Sequence, residues 1–166
     1  FIVMAASDEA ELVKMINTSV NINNKPCAFR FPRGTGIGAP LPSINEVIEI
    51  GKGKVIQEGS KLAVLNFGAR LNETIKASNN LKKKGITITI IDARFAKPLD
   101  ENLIWQLATT HESILTIEEG SIGGFGSHVG EFLSRKSLLD RNLKFRSMTL
   151  PDIFIDQDTP ENMYKF

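Results

Sequence analysis

The sequence predicts an α/β protein built on a mostly parallel, mixed sheet with helices on both faces. Three observations predict it. After residue 50, apolar runs of strand length alternate with amphipathic runs of helix length, in the order β-β-α-β-α-β-α-β-α. Before that, residues 33–42 (Arg33-Gly34-Thr35-Gly36-Ile37-Gly38-Ala39-Pro40-Leu41-Pro42) hold three glycines and two prolines, a loop or linker composition. In front of the linker stands a single strand-helix-strand unit. The expected division is therefore residues 1–42, the end of one domain with its linker, and residues 43–166, a second domain.

The elements follow in order. Ile2-Val3-Met4 is a short apolar strand. Asp8 with Glu11 three residues on resembles a capping box, and Leu12, Ile16 and Val20 recur at helical spacing, with Val13 widening the stripe. Asn23-Asn24-Lys25-Pro26 breaks the chain, and a strand over residues 27–31 ends at Pro32. Strands are expected over 54–57 and 61–67, separated by Glu58-Gly59-Ser60. A helix over 70–84 turns Leu71, Ile75 and Leu81 inward and stops at Gly85. The strand over 86–91 sets Ile86, Ile88 and Ile90 on one face and Ile91 on the other. Residues 92–100, Asp92-Ala93-Arg94-Phe95-Ala96-Lys97-Pro98-Leu99-Asp100, read as a charged loop in which Asp92 and Arg94 pair locally or Arg94 and Lys97 face a partner. Asp100 caps a helix from about 100 to 111, with Leu99 stapled onto Ile104. A strand over 113–117, a glycine-rich turn over 120–126, a helix carrying Val129, Phe132 and Leu133, a strand over 145–150 and a short helix from Pro160 complete the chain.

Composition narrows the function classes. A formal net charge of +1 gives no electrostatic case for nucleic acid. The lone cysteine, Cys27, excludes an internal disulfide and an all-cysteine zinc site within one chain, and fits a reduced intracellular compartment. No apolar run approaches the roughly 20 residues of a membrane helix. The chain opens on Phe1-Ile2-Val3, without an initiator methionine and directly in an apolar strand, which reads as the start of a cut piece.

Chemistry-bearing residues are few. In Arg30-Phe31-Pro32-Arg33-Gly34, two arginines flank a strand end, and glycine lets the backbone approach a ligand. A guanidinium fork suits a phosphate, whereas the alternative is a surface arginine after a strand. The turn Gly123-Gly124-Phe125-Gly126-Ser127 opens a helix and is either an amide cradle for an anion or a tight connection. It matches neither the dinucleotide nor the P-loop pattern. Glu118 and Glu119 end a strand, where sites form in such sheets. Adjacent strand residues face opposite ways, so acid–base work on one atom competes with a structural or interface role. His111 and His128 are not at ligand spacing. His111 is expected to meet the terminal carbonyls of its helix.

Several strings, taken together and in order from residue 1 to 166, resemble 1-deoxy-D-xylulose-5-phosphate synthases of the transketolase superfamily. Arg30-Phe31-Pro32-Arg33-Gly34 resembles their R-[YF]-P-R-G. Ile50-Gly51-Lys52-Gly53 with Glu58-Gly59, then Leu62-Ala63-Val64-Leu65 and Gly68, is similar to their domain-opening strand pair. Asp92-Ala93-Arg94-Phe95 with Lys97-Pro98-Leu99-Asp100-Glu101, Thr116-Ile117-Glu118-Glu119-Gly120 with Gly123-Gly124-Phe125-Gly126-Ser127, and Leu150-Pro151-Asp152 with Phe154-Ile155 are similar to three further strings. His128 stands where many relatives carry a small residue.

The resemblance implies that residues 1–42 end a pyrimidine-binding domain and that 43–166 form a transketolase-like C-terminal domain. It implies a homodimeric enzyme, with C-terminal domains in the contact, that uses thiamine diphosphate and Mg2+ to condense pyruvate with glyceraldehyde 3-phosphate, releasing carbon dioxide. The product, 1-deoxy-D-xylulose 5-phosphate, feeds isoprenoid, thiamine and pyridoxal precursors. The location implied is the cytoplasm of a bacterium or a plastid-type organelle. Arg33 matches the family's contact to the acceptor phosphate, and Arg30 is the second candidate. The family's cofactor and metal motifs and its activating glutamate lie outside the matching strings, so neither catalytic, cofactor nor metal residues are expected in this chain, and it is expected to be inactive alone. The alternatives are another superfamily member (a 2-oxoacid dehydrogenase β-subunit or transketolase) and a stand-alone dimerisation or effector-binding domain.

Overall fold

The computed structural model describes residues 1–163 and 165. The elements are β1 (Ile2–Ala5), α1 (Glu9–Val20), β2 (Cys27–Arg30), β3 (Lys54–Gln57), β4 (Leu62–Phe67), α2 (Leu71–Lys82), β5 (Thr89–Asp92), β6 (Phe95–Lys97), α3 (Glu101–Thr110), β7 (Ser113–Glu118), α4 (Phe125–Arg135), β8 (Lys144–Met148) and α5 (Pro160–Met163). The strands form a five-stranded sheet of order β3-β5-β4-β7-β8 and a three-stranded sheet of order β2-β1-β6. Within the larger sheet only β3 runs antiparallel; β5, β4, β7 and β8 are mutually parallel. This is the mixed, mostly parallel α/β architecture that the alternation predicts.

Period-two patterning sorts the core of the large sheet onto its two faces. Ala63, Leu65, Ile91 and Ile114 pack with Ile104 and Leu107 of α3 and with Phe125, Val129, Phe132 and Leu133 of α4. Val64, Ile88 and Ile90 pack on the opposite face with Leu71, Ile75 and Leu81 of α2. The small sheet sorts likewise. Val3 and Ala5 lie against the α3–α4 side, while Ile2 and Met4 join Met15, Ile48 and Phe95 in a separate cluster under α1.

Caps set the helix starts as the sequence predicts. Asp8 accepts the Glu11 N–H at 2.8 Å, and Asp100 accepts that of Leu103 at 3.1 Å. Gly85, at φ 77°, ends the α2 region.

Four expectations are corrected. The Leu12-Ile16-Val20 stripe faces inward at Leu12 alone: Leu12 packs on the cluster under α1, Ile16 is 42% and Val20 74% exposed, and Glu11, Met15 and Thr18 are buried. The helix is rotated because Glu11 is drawn inside to an arginine and Thr18 accepts the Ile48 N–H at 2.8 Å. β5 starts at Thr89, not residue 86, and Ile86 is half exposed, since the backbone before the strand is held at Thr87 by the Ser60 N–H and at Ile88 by the Gln57 side chain rather than by a ladder. Residues 95–97, read as loop, form β6, which pairs antiparallel with β1. The last strand spans Lys144–Met148, not 145–150.

The glycine- and proline-rich stretch from residue 33 carries no helix or strand but is tied to α1. Its backbone amides at Ile37, Gly38 and Ala39 bond to Glu9. Further on, Glu46 pairs with Lys14 at 2.6 Å.

Phe95, 1% exposed, is the contribution of β6 to the cluster under α1. Truncating it to alanine should cost about 3–5 kcal/mol of unfolding free energy in a denaturant titration. Ile16→Ala, on the exposed face of the same helix, should change it by no more than about 0.5 kcal/mol.

Candidate functional site

The two candidate arginines leave β2 in different directions. The Arg30 carbonyl accepts the Ala6 N–H at 3.0 Å. Its guanidinium crosses to the five-stranded sheet and lies 5.4 Å from the centroid of the Phe67 ring, a cation–π contact. Its terminal nitrogens lie beside Gly68 and Gly120, where a Cβ would stand in ordinary contact at 3.5 and 3.7 Å. Arg30, itself exposed, thus reaches from the small sheet to the large one. Arg33 is exposed in the loop beyond Pro32. With the Gln157 amide oriented so that its oxygen meets donors, Arg33 donates to it, which brings the segment after β8 back over the loop.

Arg30 reaches a topological switch point. From β4 the chain moves through α2 to β5, and from β7 through α4 to β8, so the carboxyl ends of β4 and β7 open a crevice. Both glutamates stand there, on opposite faces as strand geometry requires. Glu118, 5% exposed, accepts the Phe125 N–H at 3.0 Å and the Gly126 N–H at 2.8 Å, using both oxygens. The amide cradle at the start of α4 therefore exists, and its anion is the chain's own carboxylate. Gly124 is required beside it, because a Cβ there would meet Glu118 Oε2 at 2.2 Å. Glu119 pairs with Arg70 Nε at 3.0 Å. Neither carboxylate is poised toward a common atom, so the structural reading of the pair holds.

His111 behaves as its helix-end position predicts. Nδ1 lies 3.2 Å from the Leu107 carbonyl, and Nε2 lies 2.8 Å from the Thr89 hydroxyl, which in turn accepts the Gly59 N–H. Donation from Nδ1 to the carbonyl leaves Nε2 to accept from Thr89. His128 is exposed on α4.

Sequence reasoning missed a buried polar cluster where the small sheet meets the large one. Ser7 Oγ donates to Asp92 Oδ2 at 2.6 Å, and the Arg94 N–H to Asp92 Oδ1 at 3.2 Å. The Arg94 guanidinium reaches Glu11 Oε1 at 2.7 Å. So Arg94 is turned into the chain rather than toward a partner, and its side chain pairs with Glu11 instead of Asp92. Burial pushes the Asp92 carboxyl up from 3.8 to about 6; the Ser7 hydrogen bond works against that, Glu11 adds to it, and Arg94 opposes it. The one sequence signal was Glu11 itself, a charged residue on a helix whose other apolar positions were assigned inward.

Among the described residues no group of three or more His, Cys, Asp and Glu side chains is placed to hold a metal ion. The carboxylates at the strand ends are spent on α4 and Arg70, so these residues do not fit a magnesium–diphosphate group. No helix among the described residues is long and apolar enough to cross a membrane.

A family model described as Transketolase, C-terminal domain matches residues 51–166. Among solved structures, the chain is similar to one described as a split gene transketolase, inactive beta4 tetramer, with a TM-score of 0.80 and 25% identity. The match covers 98% of this chain and 51% of that one, so the chain spans about half the length of that relative.

The Asp92 shift sets a pH dependence. A carboxyl whose folded value lies above its unfolded one binds its proton more tightly in the folded state. Its contribution is greatest below about pH 4 and is lost as pH rises through about 6. Two units correspond to on the order of 3 kcal/mol. Asp92→Asn keeps an acceptor for the Arg94 N–H and removes the titration. Its unfolding free energy should gain relative to the parent between pH 4 and 7, as read by chemical denaturation at each pH.

Proposed function

The chain belongs to the transketolase C-terminal domain family, and from that premise we propose that it is the C-terminal part of a thiamine-diphosphate enzyme that condenses pyruvate with glyceraldehyde 3-phosphate to 1-deoxy-D-xylulose 5-phosphate and carbon dioxide. Thiamine diphosphate would supply the decarboxylation chemistry. The residues of this chain contribute substrate recognition and the support beneath it. One observation carries the reading: the second arginine of Arg30-Phe31-Pro32-Arg33-Gly34 is exposed on a loop anchored at both ends, its fork engaged only by a displaceable neutral amide among the contacts described. A planar guanidinium there can take two phosphate oxygens at once. The first arginine, committed to Phe67, holds the loop's base in place.

The resemblance also supports a homodimer of the whole protein with C-terminal domains in the contact; sedimentation at the mass of one chain would remove that part. The similarity to a split gene transketolase favours a second reading, ketol transfer between sugar phosphates. Assaying the whole protein with pyruvate plus glyceraldehyde 3-phosphate against a ketose phosphate plus an aldose phosphate separates the two.

For the phosphate contact, a charge-assisted pair is worth roughly 1.5–3 kcal/mol. Arg33→Ala in the whole enzyme should raise the KM for glyceraldehyde 3-phosphate about 10- to 100-fold and leave that for pyruvate nearly unchanged. Arg33→Lys should recover part of the loss, since it restores charge without the fork. Equal effects on both substrates would assign Arg33 a structural role instead.

A further inference from the structure

Glu9 stands in the first turn of α1, directly after the Asp8 cap. Its carboxylate is partly exposed, and no salt bridge is formed to it among the described residues. It is ringed by three successive backbone donors from the loop after β2: Ile37 N–H to Oε2 at 3.1 Å, and Gly38 and Ala39 N–H to Oε1 at 2.6 and 2.9 Å. The loop is shaped for this. Gly38 has φ 84°, which turns its amide inward, and a Cβ on Gly36 would lie 2.6 Å from the Glu9 carboxyl carbon and Oε1. The carboxyl is held below its ordinary range, first by its own backbone N–H; desolvation opposes this, and the Gly38, Ala39 and Ile37 amides each add to the lowering.

The same β1–α1 junction pins the loop's other end. Ala6 N–H bonds to the Arg30 carbonyl at 3.0 Å. Two anchors three residues apart in sequence, Ala6 and Glu9, thus hold both ends of the segment 31–36. Arg33 lies within it, and Pro32 beside it has one backbone dihedral fixed by its ring. Without the Glu9 anchor the segment would have one fixed end and a free run through several glycines, and the direction of Arg33 would no longer be set.

Resting on the reading of Arg33 given above, we propose that Glu9 is a positioning residue for the phosphorylated substrate: by gathering the Ile37, Gly38 and Ala39 amides it closes the loop that aims Arg33. Glu9 touches no substrate and acts through Arg33 alone.

The test is a double-mutant cycle in the whole enzyme, with Glu9→Ala, Arg33→Ala and the pair. Glu9→Ala should raise the KM for glyceraldehyde 3-phosphate about tenfold, with kcat and the KM for pyruvate nearly unchanged. It should add little in the Arg33→Ala background. Glu9→Gln, which keeps an acceptor oxygen without the charge, should lose less. Gly36→Ala, which displaces the carboxylate while leaving Glu9 in place, should reproduce Glu9→Ala. Amide exchange at residues 37–39 should quicken in Glu9→Ala.

Additive effects, or faster exchange with an unchanged KM while Arg33→Ala still raises it, would overturn the role of Glu9 and leave the reading of Arg33 intact. If Arg33→Ala itself has no effect, both fall, and the exchange result still reports whether Glu9 anchors the loop.

Discussion

The pairing of β1 with β6 is the constraint on which the rest of the structure depends. β1 already pairs with β2 on one side, so its second edge is closed by a strand of only three residues, in the register Val3 to Lys97 and Met4 to Phe95. Because β6 follows β5 of the large sheet after two residues, that short ladder ties the small sheet to the large one. It also dictates local strain. The Ala5 N–H is bonded to the Arg94 carbonyl at 3.0 Å, and Arg94 adopts φ 56°, a left-handed conformation that costs a non-glycine residue roughly 1–2 kcal/mol. In that conformation its guanidinium meets Glu11 beneath α1. The ion pair is almost fully buried, and Glu11 Oε2 and Arg94 Nε have no hydrogen-bond partner. Desolvation therefore consumes much of its Coulomb gain, and its effect is to fix how α1 sits on the strands more than to add stability.

A second theme is that backbone amide cradles in this chain are filled from within. Glu118 occupies the start of α4, and Glu9 occupies the loop over 37–39. In each case a glycine is needed for the carboxylate to come close: Gly124 for the first, Gly36 for the second. A substrate phosphate brought to α4 would have to displace a buried carboxylate or sit beside it, with like charges at short range in a medium less polar than water. Glycine-rich sequence before a helix is therefore no guide to ligand binding here. The residues that make the loop look like an anion site are the ones that let the chain satisfy itself.

Much of the fold was legible in the sequence because its determinants are local. The Asp8 and Asp100 caps, the stop at Gly85, the alternating apolar runs and the breaker-rich stretch at 33–42 are each read within a few residues. The failures are long-range. β6 has too few residues to show a period, and its strand character exists only against β1. Glu11 looked like the return arm of a capping box, whereas its partner is 83 residues away. That partner turned α1 and sent Ile16 and Val20 outward against the apparent stripe. At the candidate site, the opposite facing of Glu118 and Glu119 followed from strand geometry. Their partners did not, because those come from loops that fold back. Arg33 stood out through its resemblance to a known string, and nothing in the residues alone distinguished it from Arg30.

The structure separates those two arginines by what each would have to give up to bind a phosphate. Arg30 would leave the face of Phe67, a cation–π contact worth about 0.5–1 kcal/mol at an exposed site, and its place beside Gly68 and Gly120. Arg33 would give up a bond to the neutral side-chain oxygen of Gln157. Hydrogen bonds between ionised partners are roughly twice as strong as those between neutral groups, so exchange of an amide oxygen for phosphate oxygens favours the phosphate. Binding would also cost part of the roughly 2 kcal/mol of side-chain entropy that an arginine carries. With the backbone on either side held through Ala6 and Glu9, that loss is confined to one side chain. A glycine-rich loop then acts as a rigid mount, because its flexibility is used once, in folding around a carboxylate, and is no longer available to be lost when substrate binds.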